Sequence, residues 1–138
     1  ADYGLRILLE PHGPVTDSIR GLQDVFDRLG NPESLGVNLD TGNALLGGTD
    51  PVEMATVFKK KIHHIHWKDL GTEWESKRGT QYGCGFSTIA LGDGVIDIKG
   101  VCAVLKDCEI DTSTLEIMGE QDIYKRSVDY LRECGMGD

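Results

Sequence analysis

The amino-acid sequence predicts an α/β fold in which helices cover a parallel sheet, and two patterns carry this prediction. Four short apolar runs, at about residues 5–10, 36–40, 62–66 and 113–117, have the length and composition of buried strands. A segment with apolar residues at helical spacing follows each run, beginning near residues 17, 50, 97 and 122. Regular alternation of strands and helices is typical of a parallel sheet with helical crossovers.

Length and charge narrow the classes of function. The 138 residues are enough to bury the core of one domain. With 14 basic and 23 acidic residues the net charge is −9, and such a surface repels phosphate backbones, so we expect no nucleic-acid partner. No apolar run approaches the ~20 residues that span a bilayer, so no membrane segment is expected.

The cysteines and the N-terminus indicate the compartment. The first residues show no signal-peptide pattern, and none of the cysteines form a Cys-x-x-Cys pair. We therefore expect a cytoplasmic protein that keeps its cysteines as free thiols. These are Cys84, Cys102, Cys108 and Cys134, the last three on predicted helices.

Capping residues and apolar faces support the first two helices. Thr16 or Asp17 is expected to cap the first helix and Gly30 to end it. The second follows a predicted loop at residues 41–48 and opens with Asp50-Pro51-Val52-Glu53, in which proline takes the first helical position. The faces expected to be buried are Ile19, Leu22, Val25, Phe26 and Leu29 on the first helix, and Val52, Ala55 and Phe58 on the second.

The third unit contains the longest connection of the chain, at about residues 69–96. A connection of this length is typical of a lid or a binding loop, and it carries Trp74, Arg78, Tyr82 and Phe86. Gly92-Asp93-Gly94 within it is interpreted as a turn. The last two helices are expected to bury Val101, Val104, Leu105 and Cys108, and then Tyr124, Val128 and Leu131, with Gly135 ending the final helix.

Each of the four apolar runs closes on a residue that can bind a divalent metal. Because parallel strands point the same way, their carboxyl ends form one face, where the active sites of α/β barrels lie. We therefore predict one ring of ligands. Its members are Glu10, Asp40, His66 and Glu116. Alternation along a strand places Leu8, Asn38, His64 and Thr114 one layer below, where the three polar side chains could orient the ligands.

Three carboxylates and one imidazole make a mostly oxygen site that favours Mn²⁺, with Mg²⁺, Co²⁺ or Zn²⁺ as alternatives. An octahedral ion with four protein ligands keeps two positions for a sugar carbonyl and hydroxyl, and it would polarise the carbonyl. A neighbouring carboxylate could then move a proton at the adjacent carbon.

Each of these residues also has a structural interpretation. A single carboxylate at a strand end is more often a helix cap or an ion-pair partner. His12, Asn43 and Lys68 are predicted to contact substrate, but they equally suit a loop brace, a turn residue and a surface ion pair with Asp69. Trp67 is predicted to stack on a sugar ring, although aromatic residues more often belong to the core.

Several motifs together resemble the xylose isomerase-like sugar phosphate isomerase/epimerase superfamily across the whole chain. They include Leu9-Glu10-Pro11-His12-Gly13, Asn38-Leu39-Asp40-Thr41-Gly42-Asn43, His64-Ile65-His66-Trp67-Lys68-Asp69, Leu91-Gly92-Asp93-Gly94-Val95-Ile96-Asp97 and Leu115-Glu116-Ile117. The resemblance implies a (β/α)₈ TIM barrel with a divalent metal at its carboxyl face. Residues 1–138 would then be its C-terminal half, strands five to eight.

The tagatose 3-epimerase branch implies roles for individual residues. Positions matching Glu10, Asp40, His66 and Glu116 bind the metal there, and the two glutamates also act as the acid/base pair. Where those epimerases have a histidine, this chain has Asn43, and where they have an arginine it has Thr72. The long segment after His66 is more similar to the inosose dehydratase and C-glycoside deglycosidase branches.

The leading hypothesis is a metal-dependent isomerase or epimerase of a sugar, sugar phosphate or cyclitol. A dehydratase or C-glycoside-cleaving lyase on the same scaffold is the first alternative, and a non-catalytic half-barrel subunit is another. A third alternative, an endonuclease IV-like DNA-repair enzyme, would need more metal-binding histidines and a basic groove, and the net charge of −9 argues against it. Half a barrel has open sheet edges, so we expect the missing half of the barrel, or a second copy, as partner.

Overall fold

The computed structural model describes residues 3–80 and 87–136. Its centre is a sheet of four parallel strands in the order β1-β2-β3-β4. The strands are β1 (Ile7–Leu9), β2 (Leu35–Asp40), β3 (Ile62–Trp67) and β4 (Thr112–Leu115). The predicted parallel α/β architecture is confirmed, with each strand within a few residues of its predicted place.

The helices lie between the strands in sequence. They are α1 (Ile19–Arg28), α2 (Thr41–Leu46), α3 (Pro51–Phe58), α4 (Ile98–Leu105) and α5 (Gln121–Glu133), with a short 3₁₀ helix at Thr72–Lys77. Across the described residues, no helix has the length and apolar character needed to cross a membrane. The predicted loop residues Tyr82 and Phe86, and also Cys84, lie outside the described ranges.

Two predictions about helix starts need correction. Ser18, and neither Thr16 nor Asp17, caps α1, with its Oγ accepting a hydrogen bond from the Gly21 N–H at 3.0 Å. The Thr16 hydroxyl is engaged elsewhere because it accepts the His12 N–H at 3.0 Å. Residues 41–46 were predicted to be part of a loop, but they form the short helix α2. This helix starts directly after β2, and all of its residues are buried.

The core lies between the sheet and its helices. Leu22 and Phe26 of α1 are buried as predicted, but Leu29 at the end of that face is 60% exposed. On α5 the predicted Tyr124 is exposed, and its hydroxyl donates to the carbonyl of Ile117 at 2.7 Å. Ser127 takes the buried position instead, where its hydroxyl accepts the Leu91 N–H at 3.0 Å. A polar residue with backbone partners thus replaces the aromatic residue expected there.

The outer strands of the sheet have one neighbour each. Within the described part of the chain, β1 pairs only with β2, and β4 pairs only with β3. β4 is largely exposed, and β1 has one exposed and two half-buried residues, unlike the fully buried β2. The architecture is that of a partial (β/α) barrel, opened along these two edges.

Candidate active site

The predicted ligands meet at the carboxyl ends of the strands. Asp40 is the last residue of β2, His66 is the penultimate residue of β3, and Glu10 and Glu116 directly follow β1 and β4. Nδ1 of His66 is the common point, 3.6 Å from Glu10 Oε1, 3.7 Å from Asp40 Oδ2 and 3.2 Å from Glu116 Oε1. The structure therefore brings all four side chains together.

The four residues do not share one level of the sheet, as the simple alternation predicted. Asp40 is level with His66, and His66 with Thr114. Leu9 is level with Val37, so Glu10 enters one level lower, and Glu116 continues past β4 one level higher. Such a stagger follows from strand tilt in a closed barrel. The glutamate side chains bridge this offset, since the carboxylates of Glu10 and Glu116 both reach Nδ1 of His66.

Three of the four residues have the spacing of a metal site. Ligand atoms of Glu10, Asp40 and His66 all lie within 4.8 Å of one another. Asp40 is fully buried, and its Oδ2 accepts no hydrogen bond of good geometry from any described residue. A buried carboxylate oxygen of this kind needs a cation. Two carboxylates and an imidazole suit a divalent transition-metal ion, so the residues present fit the metal that the motifs imply.

Lys68 supplies a cation next to these ligands. Its Nζ lies 2.8 Å from Asp40 Oδ2 and 2.7 Å from Glu116 Oε2. The surface ion pair between Lys68 and Asp69 is not formed, because consecutive side chains of an extended segment point in opposite directions. Lys68 is only 6% exposed, and the hydroxyl of Thr41 fixes its backbone by accepting its N–H at 2.9 Å and donating to its carbonyl at 2.7 Å.

Asp69, the residue after Lys68, has a structural role. Its fully buried carboxylate accepts four backbone N–H groups, at distances of 2.9 to 3.1 Å. The donors are Leu70, Gly92, Gly94 and Ile96. The Gly92-Asp93-Gly94 segment is thus a turn, and Asp69 ties it to the end of β3. Sequence reasoning did not link these two motifs, although both were noticed.

The layer below the ligands is polar. Nδ2 of Asn38 donates to Glu10 Oε2 at 3.3 Å and lies at the same distance from the ring nitrogens of His66. The ring of His64 contacts the hydroxyls of Thr112 at 2.6 Å and Thr114 at 3.2 Å. Asn38 thus contacts two of the predicted ligands, as expected of a side chain that orients them. Thr114, predicted one layer below the ligands, instead lies level with His66, and Thr112 takes the position level with His64.

The charges of the site act on one another. Burial, and next the negative Asp40, raise the pKa of Glu10 above its usual range. Burial also works to raise the pKa of Asp40, but His66 and the Lys68 ammonium outweigh it, so the net shift is downward. Asp40 in turn raises the pKa of His66. The surroundings therefore favour the protonated form of Glu10 more than in water, and they favour the ionised form of Asp40.

The structure places the other three predicted substrate contacts in different environments. Asn43 is buried beside Glu10 and Lys68. His12 is exposed in the loop after Glu10, with its backbone N–H bonded to Thr16. Trp67 is 1% exposed and belongs to the apolar core, on the opposite face of β3 from His66. The structure does not bring its ring to the ligand cluster.

The chain is similar to known proteins of one family. The family model described as "Xylose isomerase-like TIM barrel" matches residues 1–134. An inosose dehydratase of Clostridium botulinum is 30% identical over 136 residues, covering 88% of this chain and 43% of that protein. An inosose dehydratase of Lacticaseibacillus casei is 24% identical over 127 residues, covering 88% of this chain and 42% of the relative.

Solved structures show the same fold. The probable 3-DHS dehydratase AsbF of Bacillus anthracis superposes with a TM-score of 0.73 at 21% identity, over 94% of this chain and 50% of that one. The chain spans about half the length of the relatives it matches. The match of the family model to almost every residue, on a parallel sheet with this cluster at its carboxyl edge, shows that the chain belongs to the xylose isomerase-like TIM barrel family.

Proposed function

We propose that the chain carries the metal-binding and proton-transferring part of a lyase that dehydrates a keto-cyclitol of the inosose class. The observation that carries this proposal is the cluster of Glu10, Asp40 and His66, with ligand atoms within 4.8 Å of one another. Beside it lie a second glutamate and a buried ammonium group. The inosose dehydratases among its relatives favour the substrate class.

Glu10, Asp40 and His66, with Glu116 beside them, would hold a divalent ion, and Mn²⁺ suits this donor set best. When bound, the ion supplies Lewis-acid polarisation of a substrate carbonyl. Asp40 is suited to a ligand role because its net pKa shift is downward and it is fully buried. Asn38 and Asp40 orient His66 from below and beside.

The two glutamates provide the proton chemistry. One carboxylate removes the proton from the carbon next to the carbonyl, and the electron pair left behind is delocalised as an enolate. The enolate re-forms the carbonyl and expels the hydroxyl of the next carbon, which takes a proton from a neighbouring acid and leaves as water. Glu10, with its raised pKa, is suited to carry a proton in this cycle.

Lys68 contributes a fixed positive charge. Its Nζ is held between Asp40 and Glu116, 2.8 Å from Oδ2 of the first and 2.7 Å from Oε2 of the second. The pKa of Lys68 is raised because the attraction of Asp40 and Glu116 outweighs its burial. An ammonium that stays charged can stabilise negative charge that develops on a substrate oxygen.

An isomerase or epimerase is the second candidate, and one observation favours it. Glu10 follows β1 and Glu116 follows β4, the strands at the two opposite edges of the sheet, and both carboxylates reach His66. Two carboxyl groups that approach from different sides could remove a proton from one face of a sugar and return it to the other. Both reactions share the first proton transfer and differ in whether a hydroxyl leaves.

The complete activity requires the rest of the barrel. The outer edges of β1 and β4 have no strand beside them in the described part of the chain, and the chain spans about half of its relatives. We therefore propose four further β/α units as partner, supplied by the missing half of the barrel or by a second copy of this chain. Cytoplasmic localisation belongs to the same proposal.

Product analysis tests the proposal. The Mn²⁺-supplied protein, alone and co-expressed with the N-terminal half of a related barrel, is incubated in D₂O with an inosose and with a keto-sugar. Loss of water from the inosose indicates the lyase, whereas deuterium gain without loss of water indicates the isomerase or epimerase. Glu10→Gln and Glu116→Gln should abolish either reaction, and the exposed Gln23→Glu serves as control. No exchange and no product with either substrate in the completed barrel would contradict both functions.

A further inference from the structure

The side chain of Asn43 lies between the two kinds of charge in the cluster. Its Nδ2 donates to Glu10 Oε1 at 3.0 Å, and its Oδ1 accepts from Lys68 Nζ at 3.2 Å. Its backbone N–H also donates to Asp40 Oδ1 at 2.8 Å. One residue of α2 therefore contacts three charged members of the cluster, and only 1% of it is exposed.

The orientation of this amide is set by its partners. The ammonium of Lys68 can only donate a hydrogen bond, so it requires the carbonyl of Asn43, and the ionised form of Glu10 can only accept one. The NH₂ group of Asn43 must therefore face Glu10, and its carbonyl must face Lys68. Reversal of the amide would set a donor against Lys68 and an acceptor against Glu10, so the cluster admits one orientation.

Hydrogen bonds fix the helix that carries Asn43 as well as the Asn43 side chain. Asp40 both ends β2 and caps α2 through the Asn43 N–H. Thr41, the first residue of α2, is bonded to both backbone groups of Lys68. The distance from Asn43 to Lys68 is thus fixed twice, once through the side chains and once through the backbone.

We infer that Asn43 is a positioning residue that couples Glu10 to Lys68, rather than a residue that contacts substrate. The inference rests on the proposed function, since it assigns the proton carrier and the fixed charge a common support. The carbonyl of Asn43 and one of its N–H groups are already bonded inside the protein. A side-chain amide neither gains nor loses a proton near neutral pH, so Asn43 orients Glu10 without competing with it as an acid or base.

The test compares two substitutions with different predicted contacts. Asn43→Ala removes the contacts with both Glu10 and Lys68. Asn43→Asp keeps the size and the acceptor toward Lys68 but sets a carboxylate against Glu10, and it also covers the case in which Asn43→Ala does not fold. The exposed Gln23→Glu on α1 makes the same amide-to-acid change away from the cluster and is the matched control.

Kinetics in the completed barrel provide the first readout. A positioning role predicts that kcat falls about 10- to 100-fold in both variants, since a shift of about 1 Å in a reacting group has an effect of that size. KM should stay within about threefold of the wild-type value. A rise in KM with kcat retained would instead identify a substrate contact, and a lower melting temperature with unchanged kcat would identify a purely structural role. Either result overturns the inference.

A second readout does not depend on activity. Acetic anhydride labels amines that are free and accessible, and the labelling of Lys68 is measured by mass spectrometry against the exposed Lys99 of the same molecule. Labelling of Lys68 should rise several-fold in Asn43→Ala and stay near the wild-type rate in Asn43→Asp and Gln23→Glu. Unchanged labelling in Asn43→Ala would overturn the inference. If the wild type turns over neither substrate, the proposed function fails while the labelling still decides the role of Asn43.

Discussion

Nζ of Lys68 lies 2.8 Å from Oδ2 of Asp40, the fully buried carboxylate oxygen to which no described residue donates a well-directed hydrogen bond. The ammonium satisfies this oxygen, and a divalent ion held by the proposed ligands would satisfy it as well. The metal-free protein therefore has a built-in counter-charge at the position where the ligands converge, and this relationship links the stability of the fold to the chemistry of the site.

Lys68→Met should destabilise the metal-free protein by about 1–3 kcal/mol, because Asp40 would keep a buried charge without its partner. We place the effect at the low end of losses for buried pairs, because Glu116 is partly exposed. Mn²⁺ should restore most of the lost stability in urea unfolding. Lys68→Arg keeps the charge and is the control. Equal stability of wild type and Lys68→Met without metal would show that the ammonium does not compensate Asp40.

Thr41→Val should cost about 1–2 kcal/mol, because it removes a hydroxyl that bonds to both backbone groups of Lys68 and leaves the buried N–H without its acceptor. Thr56→Val makes the same chemical change as Thr41→Val and serves as its control. Thr56 lies exposed on α3, and its hydroxyl donates only to the carbonyl of Val52. That control should change the free energy of unfolding by less than about 0.5 kcal/mol. Similar losses in both variants would argue against a special role for Thr41.

Gly94→Ala should destabilise the protein by about 2 kcal/mol or more, because the added Cβ would clash with Asp69 Oδ1 and with the carbonyl oxygen of Leu70. Asp69→Ala should also be costly, since four backbone N–H groups lose their acceptor. A double-mutant cycle in urea distinguishes the mechanism: the two changes share one contact, so their combined cost should be smaller than their sum. Strict additivity would mean that Asp69 does not hold the turn.

The stability should fall in alkaline solution because of Cys102. Burial, and then the neighbouring Cys134, raise the pKa of the Cys102 thiol from 9.0 to about 12. Above pH 9 the unfolded chain loses this proton while the folded chain keeps it, so each further rise in pH up to about 12 favours unfolding. Cys102→Ala should reduce the slope of unfolding free energy against pH. Val101→Ala, in the same helix, should lower stability without changing the slope, and equal slopes in all three proteins would refute the assignment.

The convergence of Glu10, Asp40, His66 and Glu116 could be predicted from sequence because each predicted strand closes on a residue type that binds metals. The contacts of Lys68 with Asp40 and Glu116 could not be predicted from sequence. The neighbouring Asp69 suggested an ion pair along the chain, whereas alternation places the two side chains on opposite faces. The helix α2 was missed because six residues containing Gly42 and Asn43 show no helical period, and its cap is Asp40, a residue already assigned as a ligand.

Two further differences have simple physical causes. The stagger of the strands depends on pairing register, which no single strand encodes, so Glu10 and Glu116 were predicted at one level and lie at different ones. The burial of Ser127 could not be predicted, because its place in the core depends on hydrogen bonds with the backbone of Leu91 and Ile123, and a pattern of apolar residues does not show such bonds.

The central claim is that Glu10, Asp40 and His66 form a divalent-metal site. The most direct measurement is the Mn²⁺ content and affinity of the purified protein, by elemental analysis and by electron paramagnetic resonance titration. Asp40→Asn is compared with Asp24→Asn, a change on the exposed face of α1. We predict about one Mn²⁺ per chain in wild type and Asp24→Asn, and a loss of tenfold or more in affinity in Asp40→Asn. No binding in wild type with Mn²⁺ supplied, or equal binding in all three proteins, would contradict the claim.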